Sequence, residues 1–193
     1  MAEDDPLARL DVAQAATSVL VAAVPPPAWT SPTPCDQWDV AALVRHLVAG
    51  ERVFAAIVRD GRADRPTIFS AVEAIPVADL PAAYDQDTAD LLAAYRGPGA
   101  VERSYLLPIG ELAAEQMVDL RIIESLTHGW DLARATDQPL AFDPMIVERA
   151  IAVSRALLEQ LPPGRSPFGT PQPVIGDAPA LDRLAALLGR TLT

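Results

Sequence analysis

The longest stretch of helical periodicity is residues 112–136, LAAEQMVDLRIIESLTHGWDLARAT. Apolar residues recur there every three to four positions, which is typical of a helix with one face against a core. At 3.6 residues per turn, five side chains fall within a stripe about 80° wide, namely Met117, Arg121, Glu124, His128 and Asp131. A helix with such a stripe needs other helices to pack against, and the stretch therefore predicts a helical bundle.

Five further helices are predicted around this one. Their approximate bounds are Pro6–Val24, Asp36 or Asp39 to Arg59, Asp79–Tyr95, Pro144–Leu161 and Ala180–Leu188. Prolines and glycines separate them, because proline cannot continue a helical hydrogen-bond ladder. Residues 62–75 are predicted to be irregular because of their prolines, and residues 101–107 to be a short extended piece.

The predicted fold is all-α, because strand signals are nearly absent from the sequence. Four main helices form a bundle, accompanied by extra short helices and a C-terminal arm rich in proline and glycine. We expect residues 1–165 to form the bundle, and residues 166–193 to be an arm and a short helix that pack on it.

Composition limits the partners that can be expected. The 193 residues carry a formal net charge of -11, which disfavours contact with nucleic acid or with an anionic membrane. No apolar run is long enough to span a membrane, and the acidic N-terminus does not look like a signal peptide. With one cysteine and no export signal, we expect a cytoplasmic protein, either a monomer or a homodimer.

The residue types that are absent exclude several kinds of chemistry. All fifteen basic residues are arginine, and the sequence contains neither lysine nor asparagine. Schiff-base catalysis, a phosphate-binding loop lysine and an asparagine oxyanion donor are therefore excluded.

The two histidines of the chain indicate a metal site. Glu124 and His128 lie four residues apart on one helical face, and His46 lies on another predicted core helix. A buried carboxylate and a buried imidazole need partners, and zinc binds such donors in threes at catalytic sites. Gly50, one turn after His46, is expected to leave room for a ligand. The ordinary alternative is a surface pair or a hydrogen-bonded core histidine.

Three blocks of sequence resemble the DinB-like metal-binding proteins of actinobacteria. They resemble most the branch that includes mycothiol-dependent maleylpyruvate isomerase, and specifically its N-terminal domain. The blocks are residues 29–57 (WTSPTPCDQWDVAALVRHLVAGERVFAAI), 124–136 (ESLTHGWDLARAT) and 177–189 (DAPALDRLAALLG).

The resemblance implies a four-helix bundle with a divalent metal, usually zinc, bound by His46, Glu124 and His128. It also implies a low-molecular-weight thiol, mycothiol or bacillithiol, as co-substrate. The leading hypothesis is therefore a zinc-dependent enzyme that activates the thiol for S-transfer to, or isomerisation of, a small electrophile. Because the donor set also suits iron or nickel, the identity of the metal stays open.

Two neighbouring side chains are candidate catalytic residues. Asp131 is placed to orient the imidazole of His128, and Arg121 to receive an acidic group of the substrate. The alternative for each is an ion pair between helices. Trp38 and Trp130 could wall the pocket, although core packing is favoured for both. Cys35, in a proline-rich turn, is expected to pack rather than to act as a nucleophile.

Two other functions are compatible with the same residues. One is a non-catalytic protein whose metal or small ligand is structural. The other is a biosynthetic enzyme that uses the bundle without a thiol, since a fold does not determine a function.

Overall fold

Helices make up most of the chain. The computed structural model describes residues 5–36, 38–107, 110–160, 168–174 and 177–192. Within these ranges the helices are α1 (Pro6–Ala22), α2 (Val40–Asp60), α3 (Arg65–Glu73), α4 (Leu80–Tyr95), α5 (Ala114–Thr136), α6 (Pro144–Gln160) and α7 (Ala180–Leu187). Two short 3₁₀ helices span Pro26–Thr30 and Val77–Asp79, and two strands are β1 (Ser104–Leu107) and β2 (Gly110–Ala113).

Four helices form the bundle, as the sequence predicts. Helix α1 packs against α4 and α5, and α2 packs against the same two helices. Leu47, Tyr84, Leu91 and Leu126 are fully buried between them. The predicted mainly helical class, with four bundled helices and extra short helices, is therefore confirmed for the described residues, and a two-stranded sheet is added to it.

A structured turn leads into α2 and closes one end of the bundle. The Asp39 side chain accepts a hydrogen bond from the backbone N–H of Ala42 at 2.8 Å, so Asp39, of the two predicted candidates, is the N-cap. The Thr33 hydroxyl donates to the Trp38 carbonyl at 2.8 Å. These contacts fix Trp38 just before the helix that carries His46.

Two sequence predictions of local structure are wrong. Residues 65–73, predicted to be irregular, form α3, because Pro66 lies in the first turn, where no backbone N–H is needed, and Asp64 caps the helix. The second wrong prediction is the start of α5. The predicted extended piece at residues 101–107 is itself confirmed in part, since Ser104–Leu107 form β1, which pairs antiparallel with β2, Gly110–Ala113. Consequently α5 begins at Ala114, two residues later than predicted.

The C-terminal helix packs on α5 and α6 through Leu181, Leu184 and Ala185, which are buried. The predicted boundary at residues 165–166 lies outside the described residues, as do the predicted end of α6 at residue 161 and parts of the arm. No helix in the described ranges has both the length and the hydropathy required to cross a bilayer.

Candidate metal centre

Three potential metal ligands converge between α2 and α5. His46 lies on α2, whereas Glu124 and His128 lie one turn apart on α5. The Oε2 atom of Glu124 is 3.1 Å from Nε2 of His46 and 3.5 Å from Nε2 of His128. The candidate ligand atoms of all three residues lie within 4.8 Å of one another. Side chains 78 residues apart in sequence thus share one small volume.

The donor set fits a divalent cation. Ligand atoms bound at 2.0–2.1 Å around a tetrahedral ion lie about 3.3 Å apart, close to the two distances from Glu124. The imidazole centroids are 5.0 Å apart, near enough for both rings to reach one ion. Two imidazole nitrogens and one carboxylate oxygen form the three-residue set typical of a catalytic zinc site.

Asp131 lies where it can orient His128. Its Oδ2 atom is 3.0 Å from Nδ1 of His128 and the carboxylate is fully buried. When Nδ1–H donates to Asp131, the lone pair of Nε2 points toward Glu124 and His46. This is the usual arrangement of a carboxylate behind a metal-binding histidine.

The carboxylates of the cluster are held in their ionised form. Burial alone would raise the pKa of Glu124, but hydrogen bonds with His128 and His46 hold that pKa well below its usual value. Burial opposes ionisation of Asp131 too, but His128 and Arg190 lower its pKa. Anionic carboxylates favour a bound cation.

The two imidazoles are shifted in opposite directions. Burial lowers the pKa of His46 and thereby favours the neutral ring that can bind a metal. Burial also disfavours the charged form of His128, yet hydrogen bonds with Asp131 and Glu124 outweigh it and raise the pKa of that ring. A metal must therefore compete with a proton at His128.

Trp38 covers one side of the cluster. Its ring centroid is 4.4 Å from that of His46 and 5.6 Å from that of His128. The side chains of His46 and Glu124 are about a quarter exposed, at 27% and 25%. The site is therefore walled by an aromatic ring yet open to solvent, and Trp38 takes the wall position considered in the sequence analysis.

Arg121 points into the core rather than toward solvent. Its Nη2 atom donates to Oε1 of Glu51 at 2.7 Å, and its side chain is 1% exposed. Gln14 donates to the other oxygen of Glu51 at 2.7 Å. A Cβ atom at Gly50 would lie 2.6 Å from Nη1 of Arg121, so the room left by this glycine holds the guanidinium and not an external ligand.

Trp130 and Cys35 are not members of the ligand triad. Nε1 of Trp130 donates to Asp182 of α7 at 2.6 Å, so this ring helps to dock the C-terminal helix. Cys35 is partly buried in the turn before α2.

Sequence reasoning missed two charged residues near the site, Glu51 and Arg190. Arg190 donates to both oxygens of Asp131, at 3.1 and 2.7 Å. Glu51 could have been noticed as a carboxylate on the apolar face of a helix. No spacing signal connects Arg190 with Asp131, because 59 residues separate them.

The fold and the triad define a helical bundle in which two imidazoles and a carboxylate from two helices converge on one small volume. The family model described as the mycothiol maleylpyruvate isomerase N-terminal domain matches residues 10–133, and the chain belongs to this family. It is also 34% identical over 191 residues to two uncharacterized proteins of Mycobacterium tuberculosis, one from each of two strains, covering 97% of this chain and 99% of each relative.

Two solved structures share the fold. The crystal structure of the mycothiol-dependent maleylpyruvate isomerase is similar with a TM-score of 0.62 at 15% identity, over 78% of this chain and 68% of that one. The structure of a histidine-to-alanine mutant of that enzyme matches with the same TM-score at 14% identity. At this level of identity the likeness shows the fold alone.

Proposed function

We propose that this protein is a metal-dependent enzyme that uses a low-molecular-weight thiol, such as mycothiol, on a small electrophilic substrate. The observation that carries the proposal is the convergence of His46, Glu124 and His128, with ligand atoms within 4.8 Å of one another. Membership of the isomerase-domain family supports the thiol, and the nitrogen and oxygen donors support zinc.

The residues of the chain have distinct tasks in this proposal. His46, Glu124 and His128 hold the ion, and Asp131 fixes the ring of His128 through Nδ1. When bound, zinc lowers the pKa of a coordinated thiol and provides a thiolate at neutral pH. Trp38 shields one side of the cluster from water, leaving the partly exposed side for the thiol and the substrate.

The reaction class follows from thiolate chemistry. The thiol proton passes to solvent and the sulfur forms a bond with an electrophilic carbon. In S-transfer a leaving group departs with its electron pair. In thiol-assisted isomerisation the sulfur adds to an activated double bond, and the π electrons move onto the activating group. The resulting single bond rotates, the π bond forms again, and the sulfur–carbon bond breaks to regenerate the thiolate.

The exposure of the triad supports a catalytic rather than a structural ion. Structural zinc sites are closed by four protein ligands, whereas catalytic sites keep one position open. Here the cluster within the described residues has three members, two of which are about a quarter exposed. Solvent can therefore reach two of the three candidate ligands.

The test combines metal analysis of the purified protein with a mycothiol-consumption assay against a panel of small electrophiles. We expect Glu124→Gln to lose the metal and the activity together. The matched control is Glu73→Gln, because Glu73 is 79% exposed and is not one of the candidate ligands. This variant should retain both the metal and the activity. Activity that survives complete loss of metal would contradict the mechanism. Bound metal without thiol consumption would contradict the catalytic role.

A further inference from the structure

The C-terminal tail reaches the metal centre through Arg190. Its Nε atom donates to Oδ1 of Asp131 at 3.1 Å and its Nη2 atom to Oδ2 at 2.7 Å. The Asp131 side chain is fully buried and that of Arg190 is 12% exposed. This is a bidentate ion pair that is largely shielded from water, and arginine holds a carboxylate most rigidly in this geometry.

The turn after α7 is built to aim Arg190 inward. Gly189 N–H donates to Ala186 O at 3.1 Å and Arg190 N–H to Ala185 O at 2.9 Å, which together form a Schellman turn. Gly189 has φ of 96°, and a Cβ atom there would lie 2.6 Å from Cα of Gly169. Only glycine fits this crossing of two backbones, so the direction of Arg190 is fixed by the backbone.

One oxygen atom connects the tail to a metal ligand. Oδ2 of Asp131 accepts from Nη2 of Arg190 and lies 3.0 Å from Nδ1 of His128. A carboxylate whose two oxygens are both held by one guanidinium cannot rotate away from the imidazole. We propose that Arg190 is a positioning residue of the metal centre: it holds Asp131 so that His128 presents Nε2 to the ion. This inference rests on the proposed function.

Docking of α7 alone does not require this contact. Arg134 of α5 forms an ion pair with Asp182 of α7 at 2.9 Å, and Trp130 donates to the same carboxylate. Arg134 therefore joins the same two regions of the chain. Among the described residues, its side chain contacts Asp182 and the ring of Trp130 rather than Asp131. Arg190 also lies beyond residues 10–133, the part matched by the family model. The tail thus adds a contact from outside the matched domain.

The experiment compares Arg190→Ala and Arg190→Lys with the matched control Arg134→Ala in the full-length protein. Zn²⁺ affinity is measured by competition with a chromophoric chelator. We expect Arg190→Ala to weaken it by about 10-fold, the low end of the range for losing a direct partner of a metal ligand, because Arg190 acts on His128 through Asp131. Arg190→Lys keeps the charge but loses the bidentate contact of the guanidinium, so its Zn²⁺ affinity should lie between those of the native protein and Arg190→Ala. The affinity of Arg134→Ala should match that of the native protein.

A second readout needs no metal. In the metal-free protein, Nδ1–H of His128 should give a slowly exchanging proton resonance, assigned by its loss in His128→Gln. We expect this resonance in the native protein and in Arg134→Ala, and its disappearance by fast exchange in Arg190→Ala. A merely structural role of Arg190 would not move it while the fold, monitored by circular dichroism, is intact.

The outcomes separate the two proposals. If the native protein binds no Zn²⁺ but shows the resonance, and the resonance disappears in Arg190→Ala but not in Arg134→Ala, the proposed function is rejected and the contact from Arg190 through Asp131 to His128 is retained. Persistence of the resonance in Arg190→Ala overturns the inference. Equal loss of affinity in Arg190→Ala and Arg134→Ala also overturns it, because docking of α7 would then be the cause. If Arg190→Ala does not fold, Arg190→Lys decides by the same criteria.

Discussion

Gly50 of α2 and Arg121 of α5 occupy one packing space: a Cβ atom at position 50 would lie 2.6 Å from Nη1 of Arg121. The guanidinium cannot move aside easily, because it is buried and bound to Glu51 at 2.7 Å. The missing side chain at position 50 therefore leaves space for a buried charged pair about one helical turn from the candidate ligands His46 and Glu124.

Gly50→Ala should destabilise the protein. In an open helix this change would add about 0.8–1 kcal/mol of stability through helix propensity. Here the methyl group collides with a pinned guanidinium, and overpacking of this kind costs about 1–3 kcal/mol. Urea unfolding monitored by circular dichroism should show a lower midpoint for Gly50→Ala than for the native protein. A higher midpoint would show that the Arg121 side chain moves aside at little cost.

Glu51→Gln should lower the free energy of unfolding much more. It leaves the charge of Arg121 buried without its carboxylate, and breaking a buried pair costs about 3–5 kcal/mol. The matched control is Glu73→Gln, since Glu73 is 79% exposed and its nearest approach to Arg45 is 3.6 Å. The control should stay within about 0.5 kcal/mol of the native protein. Equal effects in both variants would mean that the buried pair adds no stability.

Zinc should raise the melting temperature in a concentration-dependent way. An ion that binds only the folded state stabilises it by about 2.7 kcal/mol when its free concentration is a hundred times Kd. Differential scanning fluorimetry across a Zn²⁺ titration should show this rise in the native protein. The same titration of His128→Ala should be flat, and a rise there would place the ion elsewhere.

Zinc affinity should increase with pH. The pKa of His128 is raised above its ordinary value near 6.5, so the ion must displace a proton from Nε2. The apparent affinity should rise about tenfold per pH unit while His128 is protonated, and level off above its pKa. Isothermal titration calorimetry in buffers of different ionisation enthalpy should record the released proton. A zinc affinity that is independent of pH between 6 and 8 would contradict the prediction that zinc displaces a proton from His128.

The metal-free protein should show the opposite trend. A raised pKa for His128 means that its protonated form stabilises the fold below about pH 6.5. This contribution is lost as pH rises through the folded-state pKa. In a chelator-containing buffer, the difference in unfolding free energy between the native protein and His128→Gln should shrink as pH increases. A difference that does not change with pH would contradict stabilisation by the protonated His128 ring.

Part of the site could be predicted because its spacing is local. Glu124 and His128 are four residues apart on one long helix, so the helical period alone places them on one face. His46 was inferred because the chain has one other histidine, on a second apolar helix, and the family resemblance agreed. The structure brings the three together, whereas the bound ion itself stays a prediction.

The remaining features depend on contacts that no local pattern encodes. Arg190 meets Asp131 only because a glycine turn redirects the tail, and Arg121 enters the core only because Gly50 leaves space for it. The α3 helix was missed since Pro66 was interpreted as a breaker, although it lies in the first turn. The strand at residues 110–113 was missed because its residues continue the helical pattern of α5.

The contact between Arg190 and Asp131 also sets an order of events during synthesis. All three ligands leave the ribosome well before position 190, which follows Asp131 by 59 residues. We therefore expect a nascent chain to capture zinc weakly when its three ligands have emerged but residue 190 has not, and tight capture to begin when the turn at Gly189 has emerged. Metal retention would then distinguish chains that have formed the turn at Gly189 from chains that have not.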